Sequence, residues 1–228
     1  YETDSLSEQI SQHIAEQIIN GELVEGERIQ EIRFADELDV SRGSIREALL
    51  LLERTHLIEI YPRRGAVVSE MSAQQVSALF DILGILLGKI VERLADTLPA
   101  YEIENLKKLL EKLTKECNLG HTENFYDLIF NELFKHQEEV NNSYLMKYYK
   151  ELLPSLRRSY FLTLNTSKTE LQESLELFKL VVIEIVSRNS QQAAINMQDF
   201  CRHLRDLVLE SLTRMKQIEL AWARRSRR

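Results

Sequence analysis

Two short helical patterns separated by Asp39–Val40, with a β-hairpin pattern directly behind them, restrict this chain more than any other feature. Leu6, Ile10, Ile14 and Ile18 recur every four residues, giving a first helix one apolar face, and Asn20–Gly21 ends it. Ile32, Ala35 and Leu38 repeat the helical spacing from about Gln30 to Leu38. Ser41 stands where an N-cap is wanted. The helix it opens runs to about Arg54, with Ile45, Ala48, Leu49 and Leu52 on its inner face. Leu57–Tyr61 and Ala66–Ser69 are β-rich runs around Pro62–Arg63–Arg64–Gly65, which predicts a hairpin. A hairpin behind a helix-turn-helix is a wing. From Ser69 to Gln74 only Met71 is bulky and apolar, which places a domain boundary near residue 70.

The third helix carries the chemistry expected of a DNA reader. Arg42 and Arg46 are four apart and share a face, and arginine is the side chain best shaped to contact guanine O6 and N7 together. Gly43 keeps that face low for approach to the major groove. Ser41 and Ser44 can hydrogen-bond phosphates at a helix N-terminus that itself favours an anion. Arg63 and Arg64 at the wing tip can reach the adjacent minor groove or its backbone, and Arg33 adds a phosphate contact from the second helix. Net charge opposes this reading. Residues 1–70 hold 7 Lys and Arg against 15 Asp and Glu, whereas DNA binders are usually basic. Five of the seven arginines nevertheless lie from residue 42 onward, in the third helix and the wing.

The stretch from residue 5 to 69 resembles the GntR family of regulators. Leu23–Ile29, Phe34–Leu49 with its run Ser41-Arg42-Gly43-Ser44-Ile45-Arg46-Glu47-Ala48-Leu49, Leu57–Ile58 and Arg64–Val68 carry the resemblance. It implies DNA contacts by Ser41, Arg42, Ser44, Arg46 and Gly65 with its wing neighbours. Asp39 stands where the family prefers glycine, and aspartate tolerates the left-handed conformation better than most residues.

Only seven glycines and three prolines in 228 residues mean few helix breaks. Breaks at Leu98–Pro99, Asn118–Gly120, Asn141–Ser143, Asn165–Ser167 and Arg188–Ser190 divide residues 71–222 into about six helices of 18 to 30 residues. The predicted class is therefore mostly α: an N-terminal winged helix-turn-helix (1–70), an all-α bundle (71–222) and a basic tail (223–228). No apolar run reaches the ~18 residues needed to span a membrane. The N-terminus has no signal pattern, so the expected location is cytoplasmic. Cys117 and Cys201 lack C-x-x-C spacing and read as reduced structural thiols. A Gly-rich phosphate loop, a G-x-S-x-G elbow and an H-E-x-x-H motif are all missing, which argues against an enzyme.

The helical region resembles the FadR subfamily and its FCD-like ligand-binding domain through Phe125-x-Asp127-x-x-Phe130, Asn142–Leu145 and Asn189-x-x-x-Ala193-x-x-x-Met197. Many members hold a divalent metal with one Asp and three His, and the ion binds a carboxylate effector. Carried over, the Asp is Asp127, and the His positions fall on Asn131, Phe178 and Phe200, with the register near Asn131 open by about one residue. That set disfavours a metal, and no other cofactor is expected. With Leu83 standing about where an arginine is usual, two readings follow. Either Leu83, Leu87, Asp127, Phe130, Asn131, Phe178 and Phe200 form a pocket for a largely apolar effector, or the rings fill the old cavity. The expected protein is a homodimer on palindromic operator DNA, responsive to a small effector. The rival reading is a winged-helix dimerisation or protein-interaction module with a filled, ligand-free helical domain.

Overall fold

The computed structural model describes residues 4–163 and 167–225. Three helices, α1 (Leu6–Ile19), α2 (Glu31–Leu38) and α3 (Arg42–Glu53), precede an antiparallel hairpin of β1 (Ile58–Tyr61) and β2 (Gly65–Val68). A long helical series follows: α4 (Ala73–Thr97), α5 (Ala100–Leu119), α6 (Thr122–Lys135), α7 (Gln137–Val140), α8 (Ser143–Thr163), α9 (Lys168–Val186) and α10 (Ser190–Arg225). Two compact units result. One comprises the chain up to Ser72 together with Glu151–Leu162, and the other comprises Ala73–Lys150 and the chain from Thr163 onward.

Local signals set the first unit's elements. A capping box joins Ser5 and Glu8 at the start of α1, each satisfying a backbone N–H of the other. The turn from α2 to α3 needs one left-handed residue, and Asp39 supplies it at φ 52°. Ser41 then caps α3 by accepting from the Ser44 N–H at 3.0 Å. Ile14, Ile18, Phe34, Ile45, Ala48, Leu52, Leu57 and Val68 close over one core. The sequence pattern did not indicate two additions. Residues 26–29 pair with β2, with Ile29 N donating to Ala66 O and Val68 N to Glu27 O, both at 2.9 Å. The second half of α8 also belongs here. Phe161 packs on the core, Ser155 Oγ donates to Thr55 O at 2.7 Å, and the buried Arg158 donates from Nη1 to Ser69 O at 2.8 Å.

In the second unit α4 and α10 approach closely because Gly84 and Gly88 leave room. A Cβ at 88 would come within 3.2 Å of Gln198 Nε2 and 3.4 Å of the Ala194 carbonyl. Arg188 donates to the carbonyls of Ala95 and Leu98 at the end of α4, at 3.0 and 2.6 Å. The expected lengths of 18 to 30 residues hold for α4, α5, α8 and α9 but not for α6 and α10. Helix α6 stops after 14 residues, where His136 leaves helical geometry at ψ 42° without any Gly or Pro to signal it. Helix α10 runs for 36 residues because nothing in Ser190–Arg225 breaks it. Of the basic tail, residues 226–228 lie outside the described residues, as do 165 and 166 of the break before α9.

Candidate nucleic-acid interface and helical-domain site

The first turn of α3 is held by its cap and stands open to solvent. Arg42, Gly43 and Arg46 are exposed, Ser44 is half-buried, and Ile45, Ala48 and Leu49 anchor the opposite face. Arg46 is 68% exposed although its Nε lies 2.9 Å from Glu31 Oε2, so the pair is held in water and is weak. Arg33 is committed to its own helix, with Nε 2.7 Å from Glu37 and its guanidinium over the Phe34 ring. A Cβ at Gly43 would meet nothing closer than Ser41 Oγ at 3.5 Å. The fold therefore has no internal need for glycine at a position where it costs helix stability.

The wing tip carries a related signal. Arg64 N donates to Tyr61 O at 3.2 Å, closing a turn with Pro62 in its second place and Arg63 in its third. Arg63 has φ 65° and the following Gly65 has φ 79°. A turn with positive φ at its third residue favours glycine there, so an arginine at that position is strained by about 1 kcal/mol. Arg63→Gly is therefore expected to raise stability by roughly 0.5–1 kcal/mol in chemical denaturation. It should also weaken DNA binding about uniformly across sequences, which fluorescence titration on several duplexes would show. Arg28 joins this edge: it bridges to Val67, and its guanidinium nitrogens lie 3.6 and 3.7 Å from where a Gly65 Cβ would be. Local sequence pattern does not place Arg28 in the wing, because its membership depends on the pairing of residues 26–29 with β2.

In the helical unit the expected pocket residues divide between two places. Phe130, Phe178 and Phe200 come together with Tyr126 in the interior. Phe200 is central, with ring centroids 5.6 Å from Phe178, 6.3 Å from Phe130 and 6.3 Å from Tyr126. Leu83 and Leu87 are buried on α4. Asp127 and Asn131 lie on the other face of α6, lining a groove between α5 and α6. One residue on a helix is about 100° of rotation, so Tyr126 faces inward where Asp127 does not. The Tyr126 hydroxyl hydrogen-bonds Ser174 Oγ at 2.8 Å, and His203 Nε2 meets the same oxygen at 2.9 Å. Burial raises the Tyr126 pKa above its ordinary value and pushes the Cys201 thiol up to about 12.

His136 closes one end of the groove. It is 5% exposed, with Nε2 3.6 Å from Glu132 Oε1 and Nδ1 3.7 Å from Glu139 Oε2. These are ion-pair rather than hydrogen-bond distances, and Nε2 has no hydrogen-bond partner. Glu132 raises the imidazole pKa against burial, with help from Glu139 and Glu102, while His136 and Lys135 hold Glu132 down at about 2. The raised histidine stabilises the fold below its unfolded value of 6.5, and that contribution is lost as pH rises through the folded pKa. The depressed Glu132 contributes above 4.5 and loses its effect as pH falls towards 2. Their joint contribution is therefore largest between pH 4.5 and 6.5. In melting curves at about pH 5.5 and about pH 8.5, His136→Gln is expected to lose most of the difference between the two.

Residues 6–68 match the bacterial regulatory proteins of the gntR family. This region is a winged helix-turn-helix of the GntR type. The chain is a DNA-binding transcriptional regulator with an all-helical C-terminal region. It is 26% identical over 210 residues to the HTH-type transcriptional regulator YdhC of Bacillus subtilis, covering 89% of this chain and 92% of that one. The gluconate operon transcriptional repressor of Bacillus licheniformis is 27% identical over 197 residues, 86% of this chain and 75% of its own. In fold it is similar to Escherichia coli McbR/YncC, with a TM-score of 0.77 at 20% identity over 92% of this chain and all of that one. None of the described helices is long and apolar enough to cross a membrane.

The divalent metal implied by the FadR-type resemblance does not fit these residues. Phe178 and Phe200 offer ring carbons where imidazoles are needed, and Asn131 lies in the α5–α6 groove. His203 is engaged with Ser174, and no group of three His, Cys, Asp or Glu suited to a metal occurs among the described residues.

Proposed function

We propose that this regulator binds a palindromic operator as a homodimer, with Ser41, Arg42, Gly43, Ser44 and Arg46 in the major groove. Arg63, Arg64 and Gly65 of the wing then lie against the adjacent minor groove, and Arg33 makes a phosphate contact. The observation that carries this reading is the α3 N-terminus: two exposed arginines one turn apart flank a glycine for which the fold has no internal use. Ile82 and Ile85, 50% and 64% exposed on α4, offer apolar surface to a second copy.

The helical unit regulates operator affinity by binding a small-molecule effector. The close ring spacing around Phe200 supports a filled interior over an apolar pocket there. The test is selection of duplexes from a random library followed by footprinting. Two half-sites one helical turn or a multiple apart, with affinity falling steeply as salt rises, are expected. A single unpaired site, or retention on DNA that is insensitive to salt, overturns the reading.

A further inference from the structure

We infer that the groove between α5 and α6 is a binding site for a small zwitterion, an ω-amino acid or short peptide. The inference rests on the effector reading and locates it away from the aromatic interior. The groove encloses about 870 Å³, within the usual range for small-molecule sites. Charged and amide side chains from both helices line it around Leu109 and Leu128, unlike the ring-lined interior. Lys108 and Lys112, one turn apart on α5, make no hydrogen bond or ion pair with the described residues, and Asn131 faces the same space from α6. Glu116 and Asp127 also line this end, one turn from Lys112 and Asn131. The pair of ammonium groups nearest the groove's middle, Lys108 and Lys112 beside Asn131, is therefore where a carboxylate fits.

The far end is acidic. Glu102, Glu132 and Glu139 surround His136, whose Nε2 is buried without a hydrogen-bond partner while the ring lines the groove. An ammonium on the same ligand would meet the carboxylates. Lys108 and Glu102 are six residues apart on α5, about 9 Å along the helix axis. The ligand's two charges must therefore be separated by several bonds.

The probes are 6-aminohexanoate and triglycine, set against hexanoate and hexylamine, which carry one charge each. At ~10 mM and physiological salt the zwitterions are expected to raise the melting temperature by about 3 °C, and the single-charge probes by under about 1 °C. Lys108→Gln with Lys112→Gln, and separately Glu102→Gln, should each abolish the shift measured against the same variant without ligand, and the exposed lysine substitutions should leave the unliganded melting point in place. No shift from either zwitterion, a shift that survives both variants, or an equal shift from hexanoate overturns the inference. Operator titration with and without 6-aminohexanoate separates the two claims. A zwitterion shift lost in the variants but without any change in operator affinity keeps the site and sinks the effector reading.

Discussion

Replacing Arg46 by alanine is expected to weaken binding to the selected operator by roughly 10- to 100-fold, corresponding to about 1–3 kcal/mol for one base-reading arginine. The geometry gives the direction. Arg46 sits one turn into α3, is 68% exposed and is tied only to Glu31, itself partly exposed. An ion pair of that kind contributes about 0–1 kcal/mol, so the melting temperature should move little. The loss should also be specific, with discrimination at one base pair relaxing while binding to random DNA changes less. Arg33→Ala is the internal control. Its guanidinium is already held by Glu37 and Phe34, so it should cost less and act about equally on all sequences. Quantitative gel-shift or anisotropy titrations on the operator and on single-base variants measure both. Unchanged operator affinity for Arg46→Ala would overturn the placement of α3 in the groove.

The contrast between the two units shows what a sequence makes legible. In the winged region each decision is local: Ser41 caps within three residues, Asp39 takes the left-handed place, and Pro62 starts the wing turn. Such features survive reading without tertiary context. Arg28 does not, because its role depends on residues 26–29 pairing with β2 some forty positions away. The second half of α8 is similar. Its amphipathic pattern predicts a helix but cannot say that Phe161 and Arg158 serve the first unit's core and loop. The aromatic site is the most sensitive case. A one-residue shift of register exchanges Asp127 for Tyr126 and moves a carboxylate from the interior to the groove, and nothing in the local pattern fixes that register.

Phe200→Ala is the stability counterpart and the direct test of the interior. The Phe200 ring is fully buried and lies within 6.3 Å, centroid to centroid, of three other rings, so its removal takes away both buried area and ring contacts. The expected cost is about 3–5 kcal/mol, or roughly 10 °C in melting temperature. Phe200→Leu should cost less, because it retains much of the volume. The cavity that alanine leaves is walled by Phe130, Phe178 and Tyr126 and should stay dry and apolar, so benzene should raise the melting temperature of Phe200→Ala while leaving the parent protein unchanged. That pair of results is what a filled interior requires. If benzene stabilises the parent to the same extent, the rings line an open pocket, and the effector of the helical unit is apolar and binds among them.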